Sequence, residues 1–392
     1  MGQQSINIRK TELMPAKSEF AEQIKKDLLA KCENIQEPKE RDEEWRYTNI
    51  EKLKLSGMEY NGAAKIHCEN LEFLKEKEIR LTDINSALEH DLQSKLYFAR
   101  SKIINTDKFA AIAAAKFTNG YFLFVPANIE LTEPIKISID IDSDCAVYNL
   151  IVIGENSRIK TVEEYSNAGK DEKASLILTE INQLGNSCLD FSSISSFTNN
   201  FAAVHNMAAK LKNDSRANFV SACFGGKLNR MKIDTIFDGK GSSANNLGIF
   251  LGRGKEHIDF TTNMFNNFES TTNDVLVDGI LKDSSTSVYR GLIQIPKEGQ
   301  KTNSYLANHI LKMGEKTLAN SIPSLKIDAN DVKASHGATV GQLNEEHLFY
   351  LMARGLSRNE AEKMIIEGFF EPIIEKIPSE ELREKIRVLV SN

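Results

Sequence analysis

Tyr121-Phe122-Leu123-Phe124-Val125, closed by Pro126, marks where the chain changes periodicity. Five consecutive apolar residues stopped by a proline suit a buried strand better than a helix. Residues 135–141 then alternate apolar and polar side chains, the pattern of a half-buried strand. From there to about Gly341 the theme repeats, with short apolar or alternating runs broken by small polar clusters. Breaks fall at Asn167-Ala168-Gly169, Gly185-Asn186-Ser187, Asn213-Asp214-Ser215, Gly225-Gly226, Gly239-Lys240-Gly241, Gly252-Arg253-Gly254, Asp283-Ser284-Ser285 and Asn330-Asp331. Gly, Asn and Asp favour such positions because they tolerate turn backbones. Many short strands at even spacing, with few helices, fit a sandwich, a barrel or a solenoid. In a solenoid a coil buries its apolar side chains only by stacking on its neighbours. The pattern alone leaves solenoid and sandwich open.

Both flanks read as helical. Residues 107–117 predict a short Ala-rich helix, and 17–31 a longer one with Phe20, Ile24, Leu28 and Leu29 on one face. Pro38 interrupts, a helical segment follows with the single tryptophan, Trp45, and 71–96 is weakly periodic. After residue 344 the signals are stronger. Asn344 caps a helix opened by Glu345 and Glu346, whose charges suit its positive end, with Leu348, Leu351 and Met352 on one face. Gly355 suits the residue just past the helix end. Ser357 and Glu360 form a capping box. It opens a helix with Ala361, Met364, Ile365 and Phe369 as its stripe and Pro372 as its stop. Ser379, after a boundary at Pro378, caps a third helix carrying Leu382, Ile386 and Leu389. The expected division is a helical N-terminal region (1–105), a β core (106–341) and a helical C-terminal domain (342–392).

With 392 residues and a net charge of −6, the chain has no basic arm for nucleic acid and no attraction to anionic membranes. Its five cysteines, Cys32, Cys68, Cys145, Cys188 and Cys223, form no C-x-x-C pair, so neither a disulfide framework nor a zinc site is expected. No apolar run opens the chain, Gly2 lacks the Ser or Thr of a myristoylation signal because Ile6 stands there, and no stretch is long enough to span a membrane. A cytoplasmic protein is expected.

Catalytic signatures are missing. Gly314-Glu315-Lys316-Thr317 and Gly299-Gln300-Lys301-Thr302 resemble only the tail of a P-loop, with the glycines out of register. Gly252-Arg253-Gly254 lacks the third glycine of a dinucleotide fingerprint. No metalloprotease or nucleophile-elbow motif occurs. The seven histidines, His67, His90, His205, His257, His309, His336 and His347, are scattered. Asp234 and Asp238 could serve a polysaccharide-cleaving β-helix enzyme, but both read more simply as residues flanking a turn. The chain is not expected to be an enzyme.

One stretch carries a specific resemblance. Asp331-Val332-Lys333-Ala334-Ser335-His336-Gly337-Ala338-Thr339-Val340-Gly341-Gln342-Leu343, followed by Asn344-Glu345-Glu346, Leu348-Phe349-Tyr350-Leu351 and Arg354-Gly355, resembles the C-terminal signature of the SufB/SufD family, on its SufD side. Glu44-Trp45-Arg46-Tyr47-Thr48, Asp107-Lys108-Phe109-Ala110 and Gly120-Tyr121-Phe122-Leu123-Phe124-Val125-Pro126 are similar to SufD-type sequences in the same order.

The resemblance implies a mainly β protein, a right-handed parallel β-helix core between helical N- and C-terminal regions. It implies a scaffold in iron–sulfur cluster assembly, paired with a SufB-like subunit through the β-helix and bound to a SufC-like ABC-type ATPase through the C-terminal helices. Sulfur is received on the SufB side. The chain alone then binds no cofactor stably, a transient cluster forms at the heterodimer interface, and a flavin can join the complex. Many SufD-type sequences carry Cys two residues before the motif histidine; Ala334 stands here, excluding a thiol role at that point. His336 is the candidate iron or cluster ligand, since a neutral imidazole is a competent iron donor. Leu348, Phe349, Arg354, Met364, Ile365, Phe369 and Phe370 are the candidate ATPase-docking residues. The rivals are a SufB-like homodimer, for which Cys223 is the first thiol to examine, and the carbohydrate-active β-helix enzyme.

Overall fold

The computed structural model describes residues 10–391 except 51, 52, 54 and 378, so the readings at Gly2, Ile6 and Pro378 lie outside the described residues. Three short strands belong to the N-terminal region: β1 (Lys10–Glu12), β2 (Lys65–Glu69) and β3 (Arg80–Asp83). The alternation that begins at Tyr121 becomes β4 (Tyr121–Val125), β5 (Ile135–Asp140), β6 (Cys145–Ile153), β7 (Arg158–Ser166), β8 (Lys173–Gln183), β9 (Cys188–Phe197), β10 (Phe201–Leu211) and β11 (Arg216–Gly225). It continues as β12 (Leu228–Phe237), β13 (Ser243–Gly252), β14 (His257–Asn266), β15 (Thr272–Leu281), β16 (Thr286–Ile295), β17 (Asn303–Lys312), β18 (Leu318–Ile327) and β19 (Lys333–Gln342).

From β4 onward, odd strands stack in one sheet and even strands in the other, parallel throughout. That is a parallel β-solenoid of about eight turns, as the resemblance implied. Equivalent residues of successive coils lie 26 to 32 positions apart, from Ala202 paired with Leu228 to Thr286 paired with Leu318. One turn of each coil places a residue at positive φ: Asn128, Asn156, Asn186, Asp214, Gly241, Ser270 and Lys301. Their N–H groups donate to the carbonyl at the same turn of the next coil, as from Asn186 to Asn213 and from Asp214 to Lys240. Asn, Asp and Gly lead this column because they enter the left-handed region at least cost. The Asn side chains form a second ladder, Asn186 to Asn156 to Asn128.

The lumen is filled by inward-facing side chains such as Phe191, Phe219, Phe250, Phe260 and Tyr289. The outward faces are also covered. Against the even-numbered sheet pack α1 (Glu19–Glu33), α3 (Ile84–His90), α5 (Lys108–Lys116) and Trp45. Against the odd-numbered sheet pack α7 (Arg358–Ile374) and α8 (Glu380–Ser391), preceded by α6 (Glu345–Ala353). Two further short helices, α2 (Leu71–Glu76) and α4 (Leu92–Tyr97), belong to the N-terminal region. Asp107 caps α5 by accepting from the N–H groups of Phe109 and Ala110, and the Ser357–Glu360 box opens α7.

Several sequence expectations need correction. The N-terminal region is not purely helical: β2 and β3 pair antiparallel with β5 and β4 of the first coil, β1 pairs antiparallel with β2, and together they close that end. Residues 40–47 form turns, not a helix, because Tyr47 takes φ of 73° and Trp45 is drawn into the core. The 71–96 stretch is split by β3. On α1, Leu29 is exposed, and Ala21, Leu28 and Cys32 are buried. Pro372 lies inside α7. The buried stripe of α7 is Ala361, Ile366, Phe370, Ile373 and Ile374, one residue on from the expected one. Met364-Ile365-Ile366 and Phe369-Phe370 are tandem apolar, so helical periodicity fits two adjacent faces equally.

Candidate functional site at the open end of the solenoid

The first coil and much of both flat faces are covered by the chain itself; the last coil is different. β18 and β19 end the two sheets, each with one unpaired edge among the described residues. Leu318, Leu325, Ile327 and Val340 are exposed there, Leu318 by 63%. Paired residues in a parallel ladder share a face. His336 pairs with Leu306, which is fully buried in the lumen. The imidazole therefore continues a lumen-facing column, exposed because no further coil covers it. Ala334, paired with Ser304, packs against the lumen core. At Gly337 an added Cβ would lie 3.6 Å from the Tyr305 hydroxyl, so the half-exposed Tyr305 ring stands over the motif. Among the described residues no group of three His, Cys, Asp or Glu side chains is placed to hold a metal ion, so His336 is a single donor.

The docking candidates divide. On α6, Phe349 is 72% exposed, and Arg354 lies over the Tyr350 ring and donates to its hydroxyl at 2.8 Å. On α7, Met364 is exposed and Ile365 half-buried. Leu348 is buried, and Phe369 packs at the margin of the core between helices and sheet. Phe370 is fully buried in the cluster it shares with Val162, Ile194 and Ile249, so its place in the outward-facing set is corrected to the core. Tyr350, Met352 and Val388 are exposed and were missing from the sequence-derived set; Tyr350 and Met352 lie in the unbroken apolar run 348–353, which hides which of its faces is outward.

Three of the buried thiols, Cys68, Cys145 and Cys223, are not poised to react. Cys223 faces the lumen, and burial pushes its thiol up to about 12. Cys68 and Cys145 are also pushed to about 12 by burial. The lumen holds its own polar chain. Glu163 accepts hydrogen bonds from the hydroxyls of Tyr121 and Tyr165, and burial raises its carboxyl to about 7. His205, 3.0 Å from the Thr179 hydroxyl, is pushed down to about 3 by burial.

The Glu44–Thr48 motif has a structural place. Arg230, fully buried, lies 3.9 Å from the Trp45 ring centroid and donates to Glu44 at 2.8 Å. Lys232 bridges Glu44 and Asp107. Burial raises the Glu44 carboxyl, but Lys232 and Arg230 outweigh it and hold it at about 2. Thr48 donates to Asp259, which also pairs with Arg290. Four of these charged groups, Arg230, Lys232, Asp259 and Arg290, stand on outward-facing strand positions roofed by the N-terminal region.

The sequence model of a protein family described as "SUF system FeS cluster assembly, SufBD core domain" matches residues 141–369. The iron–sulfur cluster assembly protein SufD of Bacillus subtilis is 28% identical over 320 residues, covering 80% of this chain and 73% of that protein. An iron–sulfur cluster assembly SufBD family protein of Staphylococcus saprophyticus is 27% identical over 350 residues, 86% of this chain and 74% of that protein. One from Staphylococcus aureus is 28% identical over the same length.

Proposed function

This chain belongs to the SufB/SufD family of iron–sulfur cluster assembly proteins and is SufD-like, and from that premise we propose that it is a non-catalytic scaffold subunit pairing end to end with a SufB-like subunit and docking a SufC-like ATPase. The observation that carries this reading is the uncovered last coil. Open strand edges with apolar side chains add strands from a partner unless something blocks them. A second solenoid seated on β18 and β19 would bury Leu318, Leu325, Ile327 and Val340 together.

At such a seam His336 offers one imidazole to iron, and the remaining ligands and the sulfur come from the SufB-like side, where the nascent cluster is the cargo. The small residues around it, Ala334, Gly337 and Ala338, let the partner backbone approach closely. The chain alone keeps no cofactor; a flavin would belong to the assembled complex. Phe349, Tyr350, Arg354 and Met364 present apolar and cationic groups outward from α6 and α7, and these are the ATPase contacts. No helix among the described residues is long and apolar enough to cross a membrane. The working place we assign is the cytoplasm.

Co-expression with SufB-like and SufC-like subunits tests the pairing. Ile327→Asp with Val340→Asp places two carboxylates on the open end, and should release the SufB-like subunit while the SufC-like ATPase stays bound. Phe349→Asp should do the reverse. An intact three-part complex carrying both end-coil aspartates overturns the assignment.

A further inference from the structure

Asp234 stands mid-strand in β12, not beside a turn as its sequence context suggested. Its side chain is buried on the outward face of the even-numbered sheet. Asn263 on β14 donates to Oδ1 at 2.7 Å, and Oδ2 takes no hydrogen bond among the described residues. Burial pushes the carboxyl up, against the pull of Lys232. Oδ2 is not among the sealed, unpartnered atoms of the core, so it opens onto the cleft beside it, where a donor can reach it.

Asp234 lines a cleft of about 410 Å³, open on one side, between the sheet and residues 100–106. The floor is built from two neighbouring columns of the ladder, Glu180–Ala208–Asp234 and Asn182–Lys210–Ile236–Phe265–Gln294. The wall is fixed by Glu180, which accepts from the N–H groups of Ser101 and Ala99. Asp238 is occupied by Lys212 and Lys210 at the rim. With Glu180 and Asp238 engaged, Asp234 is the carboxylate left to a ligand. A single free carboxylate does not make a metal site. Phe265 and Ile236 supply a half-exposed apolar surface, and Asn182 and Gln294 can both give and accept hydrogen bonds. Arg100 and Lys102 bring positive charge to the far wall. The volume is that of a small-molecule site, not of a macromolecular groove.

We propose that this cleft binds a mononucleotide-sized ligand: an aromatic base with an exocyclic amine donating to Asp234 Oδ2 and lying on Phe265, and a phosphate at Arg100 and Lys102. The stacking surface tolerates any base, while the acceptor-only carboxylate selects for an amine over a carbonyl. The site lies away from His336 and the C-terminal helices, and it stands or falls independently of the scaffold reading.

Calorimetric titration of the full-length chain with AMP, CMP, UMP and adenosine at up to millimolar concentration is the test. AMP or CMP should bind saturably, and UMP, with a carbonyl where CMP has its amine, about tenfold more weakly than CMP. Asp234→Asn and Phe265→Ala should each weaken AMP or CMP about tenfold at an unchanged melting temperature. Should Phe265→Ala lower the melting temperature, Phe265→Leu replaces it. Arg100→Ala with Lys102→Ala should bring AMP to the affinity of adenosine. No saturable binding of AMP or CMP, or binding indifferent to Asp234→Asn, overturns the proposal.

Discussion

Glu163→Gln should change how the stability of this protein depends on pH. Glu163 points into the lumen from β7, fully buried, between Tyr121 and Tyr165. Burial raises its carboxyl from an ordinary 4.5 to about 7, the two tyrosine hydroxyls opposing. Below the unfolded value both states hold the proton, and the site contributes its full stability. As pH rises from there toward the folded value, the unfolded chain releases its proton first. Stability then falls by about 1.4 kcal/mol per pH unit and levels off above the folded value, a total of about 3 kcal/mol. Gln keeps an acceptor for one tyrosine and has no proton to lose. Urea unfolding followed by the fluorescence of Trp45, the one tryptophan, gives both stabilities. The wild type minus variant difference should shrink by about 3 kcal/mol between pH 4.5 and pH 8. Glu180, also raised to about 7 by burial, contributes to both proteins and cancels in that difference. A difference that stays flat across the window would mean that Glu163 is ionised at its ordinary pH, and the burial argument fails.

Phe370→Ala empties a fully buried position between α7 and the odd-numbered sheet and should cost about 3–5 kcal/mol in chemical unfolding. Phe349→Ala, on an exposed ring, should stay within about 0.5 kcal/mol of wild type; equal effects would mean that α7 does not pack as described. Arg230→Ala removes the one cation that Glu44, Asp107 and Asp259 share, and because Lys232 still holds the first two and Arg290 the third, it should cost about 1.5–3 kcal/mol. It should also open residues 40–48 to limited proteolysis, and an unchanged cleavage pattern would show that the motif is held by other contacts.

The sequence made the strands, the turns and the C-terminal helices readable because each rests on local signals: alternation, a left-handed turn residue, a capping box. Solenoid and sandwich share those signals. They differ in whether a strand pairs with the next strand or with one nearly thirty residues away, which no short window contains. The resemblance in the Ser335-His336-Gly337 stretch supplied that. The N-terminal region was misread for a related reason. Arg230, Lys232, Asp234 and Asp259 look like solvent-facing positions of alternating strands, and they do point away from the lumen. A roof drawn from residues 43–48 and 100–107 buries them, a long-range event invisible to periodicity. The same blindness hid the cleft at Asp234. On α7, tandem apolar pairs left the stripe undetermined by one residue, and packing against Val220, Ile249 and Ile280 chose Phe370 over Phe369. His336 is exposed at the end of a lumen-facing column, a position that only the coil register reveals.

The most direct test is the iron and sulfide content of complexes purified with SufB-like and SufC-like subunits and reconstituted side by side, carrying either His336 or His336→Ala. Removing an exposed ring from the last strand should leave the coil stacked, so complex assembly and the ATPase rate should match wild type. The account predicts a several-fold loss of bound iron and sulfide in the variant. Wild-type cluster content in an intact His336→Ala complex would contradict it.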